Sequence, residues 1–246
     1  MKIISGHQAV YLPWLGLFHK LYLCDTFVYM DTVQYLHNDF NNRNKIRIPD
    51  GWIWLSVPVD QKNSRSKMLN DIIIKDQNPE SKDYWQAKHW KSIEVNYCKS
   101  KYFEDYAGNL EKMYTETKWE KLVDLCWAQF NFFAGALGIK REIIRMSEVP
   151  FKGVKDELVL DHCMKLNGDA VVFGALGRDY VREELFTENR KKIYFQQYIH
   201  PQYQQRFKGF EPYMTIADLL FNHGPDSMDI LLSGNITQSQ LRSELL

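Results

Sequence analysis

The sequence predicts an α/β fold that is Rossmann-like, with a mostly parallel central sheet, helices on both faces, a β-hairpin insertion and a helical segment. The chain opens with a strand, helix, strand pattern. Apolar strands recur in its C-terminal half, at Ala170 to Phe173 and Lys192 to Tyr198, and the stretch at about 79–138 has helical periodicity. We therefore expect one α/β domain over residues 1–246 with a helical subregion.

The N-terminal unit is the clearest part of this pattern. A short apolar strand, Lys2 to Ser5, is followed by Gly6, His7 and Gln8. Pro13 lies where a first helical turn begins, and apolar residues then recur at helical spacing up to Cys24. The next strand, TFVYM, ends at Asp31.

Two strands joined by one helix, if they pair directly, run parallel, so their carboxyl ends share one edge of the sheet. His7 and Asp31 are then neighbours. Ligands of open parallel sheets bind outside this edge, which makes it the first candidate for an active site. The competing interpretation, equally compatible with the spacing, is that His7, Gln8 and Asp31 only cap turns.

A polar loop follows Asp31 and contains Gln34, with Arg43 between Asn42 and Asn44. Arg43 can form two parallel hydrogen bonds to a phosphate or a carboxylate, with the side-chain amides of its two neighbours as further donors. A surface arginine beside turn-forming asparagines fits the pattern at least as well. A hairpin is predicted next, with Lys45 to Ile48 paired to Trp52 to Val59.

Another short strand is predicted at Asp71 to Lys75, before the chain becomes helical. Helices are predicted from Pro79, from Tyr102 to Tyr114 and from Trp119 to Leu137. Their many aromatic residues are expected in the core and not on a ligand surface.

The C-terminal half returns to alternating strands and helices. A strand is predicted at Arg141 to Met146, a helix at Lys155 to Leu166 and a last helix at Met214 to Asn222. The polar tail beyond Ser233 is expected to be loosely held.

Two features of this half extend the candidate site. The turn from Gly174 to Gly177 follows a strand and leads into Arg178, Asp179 and Tyr180. Backbone amides in a glycine turn of this kind, together with an arginine, favour the binding of an anion. The turn is neither GxGxxG nor a Walker loop, so the signal is weak in isolation. His200 follows the strand Lys192 to Tyr198 in the same way that His7 follows the first strand of the chain.

Composition narrows the function classes. Lys plus Arg and Asp plus Glu are 31 each, so no overall basic charge favours nucleic acid or an anionic membrane. The four cysteines form no CxxC pair and are expected to be buried thiols in a reducing compartment. No signal peptide and no run of 18 apolar residues is present, so we expect a cytoplasmic protein.

Taken together, several motifs resemble those of the WbqC-like protein family in the same order along most of the chain. They are HQxxYLPWLGxFxK, DTFVYMDTVQY, NRNKI with the GWIWLSVPV strand, GALGRDYV, HPQYxQ and ADLLFNHGPD. The family is associated with bacterial surface-polysaccharide and O-antigen gene clusters. The resemblance implies a transferase of glycan precursor biosynthesis that adds an acyl or aminoacyl group to an aminodeoxy sugar on its nucleotide carrier.

The resemblance also implies a set of site residues. They are His7, Gln8, Tyr11, Trp14, Asp31, Gln34, Asn42, Arg43, Gly174, Asp179, Tyr180, Tyr203 and Asp218. This chain departs from the family pattern at Ala9 (usually proline), at Thr32 (usually an acid) and at Arg178 (usually lysine). Thr32 weakens the hypothesis that a pair of carboxylates acts at the end of that strand. Arg178 can still bind an anion, but an arginine excludes a nucleophilic amine at that position.

The chemistry expected of these residues is acid–base and electrostatic. His7 would act as general base with Asp31 fixing its tautomer, while Arg43 and Arg178 hold a pyrophosphate or a carboxylate. Gln8, Tyr11, Trp14, His200 and Tyr203 are among the expected substrate-binding residues. We expect a small-molecule substrate such as a nucleotide-sugar, and net charge disfavours nucleic acid while leaving an aminoacyl-tRNA donor open.

Two other functions stay open. The first is a nucleotidylyltransferase-like enzyme that uses ATP or another nucleotide, although the chain lacks HxGH spacing. The second is a non-catalytic subunit that binds a sugar nucleotide. A metal held by His7, Asp31, His37 and His200 is not predicted, because no coordinating spacing such as HExxH is present, and the residues specify no cofactor and no oligomeric state.

Overall fold

A computed structural model describes residues 1–60 and 64–246 of the chain. Its strands are β1 (Ile3–Gln8), β2 (Thr26–Met30), β3 (Arg43–Ile48), β4 (Gly51–Ser56), β5 (Glu142–Arg145), β6 (Ala170–Phe173) and β7 (Lys192–Phe195). Its α-helices are α1 (Leu15–Leu23), α2 (Trp85–Tyr97), α3 (Phe103–Thr115), α4 (Leu122–Ala136), α5 (Lys155–Lys165), α6 (Glu183–Glu188), α7 (Ile216–His223), α8 (Ser227–Leu232) and α9 (Gln238–Glu244).

The central sheet has five parallel strands in the order β5-β2-β1-β6-β7, which confirms the predicted parallel α/β sheet. From β1 the chain winds outward through β2 to β5, then crosses back to add β6 and β7 on the other side of β1. The direction of winding therefore reverses between β1 and β6. In open parallel sheets the crevice at such a reversal is where ligands bind.

Helices cover both faces of this sheet, as predicted. Ile3 and Ile4, adjacent in β1, belong to different hydrophobic clusters because successive side chains of a strand point to opposite faces. The cluster of Ile3 includes residues of α1, α2–α4 and α7–α9, while that of Ile4 includes Cys163 of α5 and Phe186 of α6. Strands β1 and β6 are thus enclosed between two helical layers.

The predicted hairpin is confirmed as an antiparallel pair in which Lys45 lies opposite Trp54. A turn at Pro49 and Asp50 closes it, and Gly51 has a φ of 120°, which favours glycine over other residues. The strand predicted at Asp71 to Lys75 is wrong. Ile73 and Ile74 form only isolated bridges there, after a 3₁₀ turn that ends at Asp71.

Two other predictions need correction. Strand β1 does not stop at Gly6 but continues through His7 and Gln8, which lie opposite Tyr29 and Met30 of β2. The tail beyond Ser233 is not loose, because it contains α9, which begins with a capping box formed by Thr237 and Gln240. None of the helices in the described part of the chain is both long and apolar enough to cross a membrane.

Candidate functional site

A cavity of about 990 Å³ lies at the carboxyl ends of β1 and β6, where the winding of the sheet reverses. Its size is within the range of pockets that hold small organic ligands. The predicted residues that line it are His7, Gln8, Trp14, Gln34, Gly174, Tyr180 and His200. Strand ends from both halves of the sheet therefore meet here, as the sequence indicates for His7, Gly174 and His200.

His7 is held with a defined tautomer. Its Nδ1 lies 2.9 Å from the carbonyl oxygen of Gln8, and because a carbonyl only accepts, Nδ1 carries the proton and Nε2 the lone pair. The ring packs edge-on against Trp14, with ring centres 5.3 Å apart. Burial, followed by the charge of Lys20, lowers the pKa of His7 to about 3, so the imidazole is neutral at pH 7.

Lys20 brings a buried positive charge to the same cavity. It lies on α1 and is 5% exposed, and its Nζ donates a 2.9 Å hydrogen bond to the carbonyl oxygen of Gly6. Burial lowers the pKa of Lys20 to about 8, which still leaves the ammonium form dominant at pH 7. Within residues 1–60 and 64–246 no carboxylate forms an ion pair with it.

The predicted partnership of His7 with Asp31 is wrong. Asp31 is fully buried after β2, where one carboxylate oxygen accepts 3.0 Å and 2.6 Å hydrogen bonds from Arg145 Nε and Ser147 Oγ. The other oxygen accepts a 2.9 Å bond from the backbone N–H of Ser147. Asp31 therefore joins the end of β2 to the segment after β5, and the carbonyl of Gln8 fixes the tautomer of His7.

The predicted anion-binding arginines lie outside the cavity lining. Arg43 donates to the carbonyl of Asn38, and its guanidinium lies 4.5 Å from the ring centre of Trp54. Arg178 is exposed, with its guanidinium 4.8 Å from the ring centre of Phe195. A buried cation, Lys20, lines the cavity instead.

The remaining predicted residues are also outside the lining. Tyr11 is buried against the helical segment, where its hydroxyl contacts His89 Nδ1 at 2.7 Å. Asn42 donates to the carbonyl of Val57 beside the hairpin, and Asp179 is exposed. Tyr203 donates a 2.9 Å hydrogen bond to the buried carboxylate of Asp218, so neither of these two faces the cavity.

His200 lines the cavity, but both of its ring nitrogens are engaged. Nδ1 lies 2.9 Å from the carbonyl oxygen of Pro201, and Nε2 accepts a 3.2 Å hydrogen bond from the backbone N–H of Tyr213. This leaves His7 as the better placed of the two for proton transfer. In the described residues no group of three His, Cys, Asp or Glu side chains is arranged to hold a metal ion.

Two buried polar atoms in the lining have no hydrogen-bond partner in the described structure. They are His162 Nε2, from α5, and the hydroxyl oxygen of Tyr198. His162 is 1% exposed and packs edge-on against Phe151, and burial lowers its pKa to about 4. Buried polar groups are normally hydrogen-bonded, so these two atoms are exceptions among the side chains that line the cavity.

The sequence-based site omitted Lys20, His162 and Tyr198. Lys20 was visible as the last residue of the HQxxYLPWLGxFxK motif, and its position inside an apolar helix was a usable signal. His162 had no comparable signal, because a histidine near the end of an amphipathic helix is ordinary. Only the approach of α5 to β1 and β6 brings it to the cavity.

The fold is that of a doubly wound α/β protein with a cavity at the reversal of its sheet. The sequence profile of the WbqC-like protein family matches residues 8–230 of this chain. The chain is also 30% identical, over 232 residues, to Rv1507c of Mycobacterium tuberculosis, which is named an uncharacterized protein. That similarity covers 94% of this chain and 98% of the relative. The chain therefore belongs to the WbqC-like protein family.

Proposed function

We propose that this protein is a cytoplasmic transferase of bacterial surface-glycan precursor biosynthesis. It transfers an acyl or aminoacyl group to the amino group of an aminodeoxy sugar on a nucleotide carrier. The observation that carries this proposal is the presence, in one cavity, of a neutral histidine whose Nε2 has a lone pair and a buried lysine without a carboxylate partner among the described residues. The first suits proton transfer, and the second suits an anionic substrate.

The reaction needs little beyond these groups. The amine of the sugar attacks the carbonyl carbon of the donor, forming a C–N bond and a tetrahedral intermediate that carries a positive nitrogen and a negative oxygen. His7 Nε2 accepts the proton from that nitrogen. The oxyanion then reforms the carbonyl, the bond to the leaving group breaks, and the leaving group takes the electron pair and the proton held by His7, which returns the imidazole to its neutral form.

The low pKa of His7 favours an amine acceptor over a hydroxyl. A neutral amine attacks without prior loss of a proton, and the nitrogen has to lose a proton only after the new bond forms. A weak base is sufficient at that stage, whereas a sugar hydroxyl needs a stronger base during the attack itself. A histidine that is neutral at pH 7 is therefore a suitable proton acceptor for an aminodeoxy sugar.

The walls of the cavity fit the remaining parts of such a substrate. Trp14, Leu17, Phe40 and Tyr198 supply aromatic and apolar surface, and Gln196 supplies a polar side chain. Small-molecule sites are typically built in this way, with mostly apolar walls and a few placed polar groups.

The proposal is tested by a transfer assay on the purified protein. Acceptors are 4-amino-4,6-dideoxyhexoses linked to dTDP, UDP or GDP, and donors are acetyl coenzyme A or an aminoacyl-tRNA. Mass spectrometry is expected to detect one acceptor that gains the mass of the acyl or aminoacyl group. The matched control is the same nucleotide with a hydroxyl in place of the sugar amine, which is expected to gain nothing.

The same assay distinguishes the other candidate functions. Release of pyrophosphate that depends on ATP, without acyl transfer, would indicate a nucleotidylyltransferase-like enzyme. Binding of an acceptor without conversion by either donor would contradict the transferase and support a non-catalytic sugar-nucleotide-binding subunit.

A further inference from the structure

Among the lysines in the described part of the chain, Lys20 is unusual because its side chain is buried. The side chain extends from α1 towards β1, where the Gly6 carbonyl accepts one of its three N–H groups at 2.9 Å. A carbonyl oxygen satisfies one donor but carries no full negative charge. A buried ammonium without a counter-ion is destabilising, because desolvation of the charge is not offset by a paired anion.

The other charged groups of the lining do not compensate for this charge. Asp39 is partly exposed, and its Oδ1 accepts a 2.7 Å hydrogen bond from the backbone N–H of Phe40. Lys155 is exposed and adds positive charge. His7 is neutral and close enough to Lys20 for the lysine charge to lower its pKa. The interior of the cavity is therefore positive, and it favours an anion.

We propose that Lys20 is the anion-binding residue of this cavity and pairs with a phosphate group of the ligand. The choice of phosphate over another oxyanion rests on the proposed function, in which the substrate is a nucleotide-sugar. The position of α1 agrees with this assignment, because it follows β1 directly and its first turn, with Gly16 and Leu17, also lines the cavity. The amino-terminal end of a helix favours negative charge.

A phosphate at Lys20 also has a consequence for His7. The lysine charge is the second cause of the low pKa of His7, after burial. An anion paired with Lys20 offsets that charge, so the imidazole becomes a stronger base when the ligand is bound than when the cavity is empty. Binding and proton transfer are thereby coupled through one ion pair.

The test uses Lys20→Met, which keeps the length of the side chain and removes the charge. Affinity for pyrophosphate and dTDP is expected to fall roughly ten- to hundredfold, as for loss of a charged hydrogen bond. Binding of thymidine, which has no phosphate, is expected to be unchanged. Lys140→Met, which removes an exposed lysine outside the cavity lining, is the control and is expected to bind dTDP within about twofold of the original protein.

The melting temperature separates this role from a structural one. Without an anion, Lys20→Met is expected to melt higher than the unmodified protein, and pyrophosphate is expected to stabilise only the latter. Unchanged affinity for dTDP, or a variant that melts lower while binding dTDP normally, would overturn the proposal. The affinity and the melting temperature are both measured without an acyl donor. Their outcome therefore does not depend on whether the protein is a transferase.

A second experiment needs no variant. Pyridoxal phosphate carries an aldehyde that condenses with a lysine amine, with loss of water, and borohydride reduces the imine to a stable amine. We expect peptide mass spectrometry to find Lys20 labelled, and pyrophosphate to slow that labelling by at least about tenfold. Equal labelling with and without pyrophosphate, or labelling of other lysines only, would contradict the assignment.

Discussion

The guanidinium of Arg145 binds the fully buried carboxylate of Asp31, with Nε and Oδ2 3.0 Å apart, and so ties the end of β5 to the end of β2. This pair has a structural role, because the carboxylate is also saturated by Ser147. The neighbouring strand β1 is therefore supported on one side by a buried ion pair, and it carries Gly6 and His7 of the candidate site.

Asp31→Ala is expected to lower the free energy of unfolding by about 2 kcal/mol, because it removes the acceptor of Arg145 Nε and Ser147, while Arg145 keeps its ion pair with Asp124. Urea denaturation followed by circular dichroism measures this change. Glu94→Ala is the control, since it removes an exposed ion pair with Lys91 and is expected to cost less than about 1 kcal/mol. An Asp31→Ala variant of full stability that loses turnover would instead restore the catalytic role that the sequence indicates.

His7→Ala is expected to lower turnover in the transfer assay by roughly 10²- to 10⁴-fold, because it removes the proton acceptor. His37→Ala, a histidine outside the cavity lining, is expected to leave turnover unchanged. Melting temperatures of both variants show whether the fold is retained. Full activity in a folded His7→Ala protein would remove His7 from the mechanism.

His162→Phe is expected to make the protein more resistant to acid. The pKa of His162 is lowered from 6.5 to about 4 by burial, so the unfolded chain takes up a proton below pH 6.5 that the folded protein does not. Folding stability is therefore lost as the pH falls from about 6.5 to 4. At pH 5 the variant is expected to avoid roughly 2 kcal/mol of this loss.

This expectation is checked by urea denaturation of both proteins at pH 7 and pH 5. The quantity of interest is the stability difference between the variant and the original protein, because other buried histidines contribute equally to both. The same difference at the two pH values would contradict the prediction. His37→Phe serves as the reference, since His37 is only half-buried.

Gly6→Ala is expected to destabilise the protein by about 1–3 kcal/mol. A Cβ atom at position 6 would lie 2.8 Å from the backbone oxygen of Val28, so β1 and β2 would have to separate. Gly174→Ala is the matched control, because a Cβ at position 174 meets no atom within 4 Å. Chemical denaturation compares the two variants, and equal stabilities would refute the steric explanation.

Local pattern was sufficient to predict much of the fold. β-Branched and aromatic runs identified the strands of the parallel sheet, and the carboxyl-end rule brought His7, Gly174 and His200 to one cavity. Asp31 was misassigned because its partner Arg145 is 114 residues away, and a strand-end carboxylate looks the same in sequence whether it serves chemistry or structure.

The remaining errors also come from distant contacts. The carboxyl-terminal helix α9 is held because Arg242 binds Asp25, 217 residues earlier. The thiols were expected to be buried, and Cys24, Cys126 and Cys163 are, but Cys98 is exposed at the end of α2. Lys20 and His162 share the cavity only because α1 and α5 cover opposite faces of the sheet. Helical periodicity shows which face of a helix is buried, but it does not show which other element that face packs against.

The edge-on contact between Trp14 and His7 gives the protein a built-in optical signal. Indole emission depends on the polarity of its surroundings and on nearby charged groups, and Trp14 lies in the cavity wall in contact with His7. A titration read by intrinsic fluorescence can thus follow occupancy of the cavity in real time without a dye or a label. Stopped-flow mixing can then separate the arrival of a nucleotide from the chemical step that follows it.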